Sequence, residues 1–543
     1  MKKTIEFLLL TVLIFSFGCR DRSYNYPVSP ANAKANSSIS VSKPFKLGSI
    51  KYEADFGTVT VPENRSKTNS RLINIPFLRI HSNSKNPTEP IFGFAGGPGA
   101  SNMKWDWGKA LTFLSEHDFV LVGYRGVDGS IVLDCPEVTE AFKSSNNLLS
   151  EETMKTIGNA WSESAKRLSA QGIDLDGYSM LQCIEDNESV RKALKYKRIN
   201  LLSESYGTRV AYLYGLKYPE YIFRSALISV NPPGHFVWKP LKVDLQLKHY
   251  AALWLKDSIM ARKSPNLYST LQTVLNAMPD RWIFFSINPG KVKVVTFALL
   301  FHRKTAAMVF NAYIAAEQGD PSGLALMSVA YDFVIPSMFI WGDLASKAIS
   351  ADFDSTRNYC TDMNPSDMPL GSPLNKLLWC PLSFGKWPME QLPGEFRNLQ
   401  QSDVETLLLS GSVDFSTPAE FATNELLPYL KNGRQVILSE CGHVNDMWYA
   451  KMENTRLILT SFYDTGVPNT EMNSYIPMDF SVKLGFPTIA KIVLCVIALV
   501  GIALVIVIIW LIKRYLKRKA FRKTTMQQKH NNKYGALGEE VQI

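Results

Sequence analysis

The most chemically loaded pattern in the chain is Ile199-Asn-Leu-Leu-Ser203-Glu204-Ser205-Tyr206-Gly207-Thr208. Residues 199–202 read as a buried strand and residues 210–216 as a helix, so Ser205 falls on the turn between them. Such a turn exposes a serine hydroxyl for attack on an acyl carbonyl, and it is crowded enough to require small residues two before and two after the serine. Gly207 satisfies one side, and Ser203 stands where glycine is more usual.

A serine nucleophile needs a general base, and the chain has 7 histidines to choose from. On a strand–turn–helix scaffold of this kind the order is nucleophile, acid, histidine. His81 and His117 precede Ser205, while His235 and His249 follow it too closely to leave room for an acid-bearing strand. His302 lies in a helical, aromatic-rich insertion and His530 in the basic C-terminal tail. His443 remains, in a loop after the apolar run 436–438 and beside Gly442. The acid should end the preceding strand. The run 407–409 opens through Gly411 to Asp414, 29 residues before His443, whereas Asp403 lies on the wrong end of that strand. Asp414 also suits a second role, capping a helix that starts near Pro418.

The oxyanion requires N–H donors, and Ile91-Phe-Gly-Phe-Ala95-Gly96-Gly97-Pro98-Gly99 is a strand feeding a glycine-rich turn upstream of the nucleophile. Gly96, Gly97 and the N–H of Tyr206 would form the hole. A phosphate-cradling loop is the rival, but no G-K-[ST] follows and no acidic ribose partner is present.

These residues need a scaffold, and the runs at 91–94, 120–122, 199–202 and 226–230, with helical segments such as 189–194 between them, predict a mainly parallel sheet covered by helices. The chain resembles α/β-hydrolase-fold serine peptidases of the proline iminopeptidase and tripeptidyl aminopeptidase family. Ala95-Gly-Gly-Pro-Gly99 is similar to that family's G-G-P-G oxyanion motif, and Arg125-Gly126 stands in its D-Q-R-G position, with Gly123-Tyr124 departing. The segment from Asp186 to Leu194 and the run Ser205-Tyr-Gly-Thr-Arg209 resemble the helix and elbow of the tripeptidyl branch, as do Cys360-Thr-Asp362 and Cys380 ahead of Trp387-Pro388.

The resemblance implies an α/β-hydrolase core in two parts, 45–235 and 396–470, separated by a helical cap at 236–395 with helices near 294–301 and 306–316. It implies disulfides Cys135–Cys183 and Cys360–Cys380 with Cys441 free, and no metal or organic cofactor. It also implies release of residues from peptide N-termini, with acidic cap residues holding the free amine. Glu317, Asp320, Glu390 and Glu395 are available and nothing in the sequence chooses among them, so the substrate-binding residues stay unassigned. An esterase on small acyl or lipid esters is the alternative activity. A non-catalytic adhesion or receptor ectodomain is the alternative class, against which stands the retention of all three triad positions.

Length, composition and charge bound the rest. With 543 residues, 46% apolar and 20% charged, the chain can bury a sizeable core. Its net charge of +10 is concentrated at the ends, +7 in residues 513–543 and +2 in residues 1–22, which excludes a basic nucleic-acid footprint between them. Lys2 and Lys3 followed by the apolar run 7–17 predict a signal peptide over 1–19, and residues 20–44 read as a linker. Cys19 after Gly18 fits a lipoprotein cleavage site, and an ordinary signal with a stray cysteine fits as well. Residues 492–512 are uncharged between Lys491 and Lys513, predicting a transmembrane helix over 488–512 after a polar juxtamembrane linker at 471–487. The basic tail 513–543 is then cytoplasmic, against anionic lipid, with the hydrolase outside the cytoplasm at the cell membrane. The absence of any C-x-x-C or clustered histidine argues against zinc.

Overall fold

The computed structural model describes residues 24–143, 145 and 147–538, the last nine by backbone only. The expected signal peptide and Cys19 lie outside the described residues. The described residues up to Pro487 form one compact unit, and the helix that runs on from Thr488 belongs to another.

The strands are β1 (Ser37–Leu47), β2 (Ile50–Pro62), β3 (Leu72–Ile80), β4 (Thr88–Phe94), β5 (His117–Val122), β6 (Ile199–Glu204), β7 (Ile222–Ile228), the short hairpin β8 (Arg281–Trp282) and β9 (Phe285–Ser286), β10 (Glu405–Gly411) and β11 (Gly433–Leu438). Nine of them make one sheet in the order β1-β2-β3-β5-β4-β6-β7-β10-β11. The pairs β1/β2, β2/β3 and β3/β5 are antiparallel, and every pair from β5 to β11 is parallel. Helices cover both faces, so β5 and β6 are buried along their whole length, with apolar runs at 119–122 and 201–202. Side chains still alternate between two cores: Phe92 and Leu201 enter one, Ile91 and Leu202 the other.

Two expected boundaries move. Residues 37–44, read as linker, are the first part of β1, whose Ser-Ile-Ser-Val-Ser alternation makes a largely exposed edge strand on β2. The strand expected to reach residue 230 stops at Ile228, because Ser229 turns to φ 58° and donates its N–H to Leu409 O at 2.9 Å.

Between β7 and β10 the chain is helical, including Pro240–Lys256, Pro289–Leu299, Arg303–Glu317, Ser322–Val334 and Trp341–Asp352. This roof draws on a second segment. The helix Glu151–Ala170, inserted between β5 and β6, meets it so closely that a Cβ on Gly158 would stand 2.5 Å from Pro381 O. Trp161 and Trp387 meet edge to face at 5.5 Å across the same seam.

The segment expected to be a polar linker at 471–487 is a packed strap. Met478 and Phe480 are buried, with the Phe480 ring 5.2 Å from Trp254. The Tyr475 hydroxyl and Met478 N–H both bond Glu440, Arg303 donates to Pro477 O at 2.9 Å, and Lys451 Nζ to Ser474 O at 2.7 Å. Two apolar side chains at the right spacing find a site that composition alone does not show. Beyond it, the helix Phe486–Gly538 is continuous, and its Phe486–Lys529 part is long and apolar enough to cross a membrane.

Candidate active site

The strand β6 ends at Glu204, and the helix Tyr206–Lys217 begins one residue later. Ser205, between them, holds φ 52° and ψ −120°, a backbone conformation costly for any residue with a Cβ. The surroundings impose it. A Cβ at Gly207 would fall 2.2 Å from Phe94 O, so only glycine lets the helix start this close to β4. Ser203 departs from glycine without strain: it is fully buried and its hydroxyl donates to Ala226 O at 3.1 Å. Below the turn, the Glu204 carboxylate accepts from Lys109 Nζ at 2.9 and 3.0 Å and from Trp448 Nε1 at 2.6 Å, which ties the end of β6 to two other elements.

The three residues selected in sequence converge. His443 Nε2 lies 2.9 Å from Ser205 Oγ, and His443 Nδ1 lies 2.9 Å and 3.0 Å from the Asp414 oxygens. Asp414 follows β10 and His443 follows β11, so neighbouring parallel strands deliver both to the same edge of the sheet. Asp414 also caps its own loop, accepting from Ser416 N at 3.0 Å, Thr417 N at 2.8 Å and Thr417 Oγ1 at 2.9 Å. Burial alone would raise this carboxyl. The His443 charge and hydrogen bond, Thr417 N–H and the Ser229 hydroxyl outweigh that and hold it below the usual carboxylate range. His443 itself is pinned from the roof, donating its N–H to Phe301 O at 2.8 Å, with the two rings edge to face at 5.5 Å.

Gly96 stands beside the nucleophile, where an added Cβ would meet Ser205 Cβ at 3.2 Å. Among the described residues the N–H groups of Gly96, Gly97 and Tyr206 have no protein acceptor, so all three are free to donate to a ligand. The loop they sit on is held by Asn102, which accepts from Ala95 N at 2.7 Å and donates to Gly93 O and Val122 O at 2.9 and 2.8 Å. A roof residue holds its other end: Asp343 accepts from Gly99 N at 3.0 Å and pairs with Lys347, which donates in turn to Arg125 O at 3.2 Å. Arg125 is fully buried and forks onto Asp186 at 2.7 and 2.6 Å. In the Gly123-Tyr124 departure, Tyr124 donates its hydroxyl to Ala95 O at 2.9 Å, and a Cβ on Gly123 would crowd Asp128 at 2.7 Å.

Sequence reasoning missed Asn102, Asp343, Thr417, Ser229 and Phe301. Of these only Thr417, three residues beyond an acid on a glycine turn, carried a local signal. The four acidic cap residues do not gather at the triad. Glu317 accepts from Thr270 Oγ1 at 2.8 Å, Asp320 accepts from Ser322 N, and Glu390 and Glu395 are exposed. The wall beside His443 is aromatic instead: Phe297 packs on Trp238, Phe301 and Phe415 at 5.3, 5.6 and 5.4 Å. Among the described residues no group of side chains could hold a metal ion.

Cys360 and Cys380 form a disulfide. Cys135 and Cys183 do not pair and both are buried thiols, as is Cys441. Cys135 is packed beside Gly342 and bonds Leu133 O, whereas Cys183 faces the Arg125, Asp186 and Lys347 charges, so the two point into different surroundings. Burial pushes the Cys135 thiol up to about 12 and the Cys183 thiol up to about 11, which leaves both unreactive.

Over 204 residues the chain is 26% identical to the tripeptidyl aminopeptidase of Streptomyces lividans, and equally to that of Streptomyces coelicolor. That match spans 35% of this chain and 37% of each relative, little more than a third of their length. No family model matches the chain. Among solved structures it is similar to an α/β-hydrolase enzyme from a Medee basin deep-sea metagenome library (12% identity, 74% of this chain and 98% of that one, TM-score 0.36). It is similar also to an esterase from Exiguobacterium antarcticum (14% identity, 73% and 97%, TM-score 0.33). The sheet order, the strained serine between strand and helix, and an acid and a histidine after the last two strands make this an α/β-hydrolase fold.

Proposed function

We propose that the protein is a serine hydrolase working through an acyl-enzyme, and that its substrates are peptides from whose N-termini it releases residues. One observation carries the chemistry, the unbroken relay from Ser205 Oγ to His443 Nε2 at 2.9 Å and from His443 Nδ1 to Asp414 at 2.9 Å. An ionised carboxylate only accepts, so His443 carries its proton on Nδ1 and presents a bare Nε2 to the serine hydroxyl. Ser205 attacks the scissile carbonyl as its proton passes to Nε2, and the oxyanion takes the N–H groups of Gly96, Gly97 and Tyr206. Collapse breaks the C–N bond, with His443 protonating the leaving amine. His443 then deprotonates a water that hydrolyses the acyl ester and frees Ser205. The peptide substrate rests on the match to the two tripeptidyl aminopeptidases and on the resemblance of the glycine loop and elbow.

Ester hydrolysis is the second reading, favoured by the half-buried aromatic rings of Trp238 and Phe301 beside His443. A fluorophosphonate probe should label Ser205 and spare Ser205→Ala; equal labelling of both would remove Ser205 from the mechanism. Free-amine peptide reporters, their N-acetylated forms and acyl esters then separate the activities. A loss of about ten- to a hundred-fold in kcat/KM on acetylation supports release from N-termini, since acetylation removes the charged amine that such an enzyme must recognise. Equal rates rule it out, and inertness toward every reporter would point to an adhesion module.

The helix Phe486–Gly538 anchors this hydrolase in the cell membrane, with the body outside the cytoplasm and the basic residues after 513 inside. The span's apolar length and the Cys360–Cys380 disulfide support that orientation.

A further inference from the structure

The hairpin of β8 and β9 is built against its surroundings in water. Trp282 pairs with Phe285 across a two-residue connection, Ile283 and Phe284. Such connections favour glycine, asparagine or aspartate, because the backbone must enter the left-handed region. Here Ile283 takes φ 53°, a strained conformation for a β-branched residue, and it is 56% exposed. Phe284 is 62% exposed, and the Trp282 and Phe285 rings stack at 5.8 Å behind it. Two apolar side chains thus stand exposed at the tip of a turn where hydration would select polar ones, with Trp282 and Phe285 half-buried beneath them against the core.

Position supplies the occupant. The hairpin packs on the helix Ser322–Val334, and just past β9 the Asn288 N–H donates to Ser328 Oγ at 2.9 Å. The start of the same helix receives the end of the strap: an added Cβ on Gly323 would meet the Pro487 ring at 3.0 Å, and Ser322 Oγ bonds Pro487 O at 3.5 Å. Ser322 and Ser328 are six residues apart, about 9 Å along the axis. The chain therefore leaves the body at Pro487 about two helical turns from the foot of the hairpin.

We propose that Ile283 and Phe284, backed by Trp282 and Phe285, form a second membrane contact, a loop that dips into the interfacial layer of the bilayer holding the C-terminal helix. This rests on the reading of that helix as a membrane anchor. Tryptophan and phenylalanine suit the layer between headgroups and acyl chains, and Arg281 at the base of the hairpin, exposed, suits the anionic headgroups above it. Two contacts hold a hydrolase body in one orientation over the lipid, where a single one would leave it free to turn.

The full chain in nanodiscs of phosphatidylcholine and phosphatidylglycerol tests this. An environment-sensitive fluorophore is placed on Ile283→Cys, or on Phe284→Cys in case the label disturbs the turn, with Cys495→Ala as background. Asp403→Cys, exposed before β10 at the sheet edge away from the triad, reports water, and Leu504→Cys reports the span. With nitroxide-bearing lipids, the labels at 283, 284 and 504 should be blue-shifted and quenched while that at 403 is unaffected. Labels at 283 and 284 that match 403, with 504 quenched, overturn the proposal and leave the anchor standing. A label at 504 that also reports water overturns the anchor, and the proposal falls with it.

Discussion

Replacing Asp414 by asparagine tests the site at the atom that sets its direction. In the wild type, Asp414 Oδ1 accepts from Ser416 N at 3.0 Å and Thr417 N at 2.8 Å and lies 3.0 Å from His443 Nδ1, while Oδ2 lies 2.9 Å from both Thr417 Oγ1 and His443 Nδ1. An asparagine has one oxygen, and two backbone donors claim it, because turning the amide over would face N–H against N–H. Its NH₂ therefore points at His443 Nδ1, which must accept, leaving the proton on Nε2 facing Ser205. The base then holds its proton where it should take one. Loss of turnover on the order of 10⁴-fold is expected, as for the same exchange in other serine triads; at about 1.36 kcal/mol per tenfold, that is about 5.4 kcal/mol of transition-state stabilisation. The assay is kcat/KM on an ester or peptide reporter with the rate of fluorophosphonate labelling, and Asp403→Asn is the control. Activity of Asp414→Asn within tenfold of wild type would refute the tautomer argument. Thermal scans add a check with a definite sign. The folded Asp414 value is depressed, so its stabilising contribution is present above the ordinary carboxylate range and is lost only as pH falls through that lower value. The asparagine variant should lack this acid-side loss.

Gly207→Ala should fail to give folded protein, because its Cβ would stand 2.2 Å from Phe94 O and backbone cannot yield as a side-chain tip can; a native melting curve and full activity would contradict this. Truncation after residue 470 should destabilise the body, since Met478 and Phe480 each contribute about 1.5–3 kcal/mol by burial. Truncation after Pro487 should keep the melting temperature, and equal temperatures for the two would show the strap to be passive. Cys360→Ser opens a disulfide between residues 20 apart and should cost about 3 kcal/mol by loop entropy, read as a fall in denaturant midpoint. An unchanged midpoint would mean that the surrounding helices alone hold that loop.

The sequence by itself determined the parts whose constraint is local. Ser205, Gly207, Asp414 and His443 were legible because a strand end, a turn and a glycine are written in a few adjacent residues, and because the order of elements is the order of the chain. The apolar helix after Pro487 was legible for the same reason, since length and absence of charge suffice to define it. What only the tertiary structure decided are the pairings whose partners are far apart in sequence. Asp343 reaches Gly99 across 244 residues to hold the oxyanion loop, and Phe301 O holds the His443 backbone from the roof. No local pattern marks a buried aspartate for a backbone N–H that folding brings to it. The same holds for errors of pairing and packing. Cys135 and Cys183 share a chain but face different neighbours, and a disulfide needs both Cβ vectors to meet. Residues 471–487 look like linker by composition, yet Phe480 finds Trp254 and Tyr475 finds Glu440, contacts that exist only once roof and core have closed on one another.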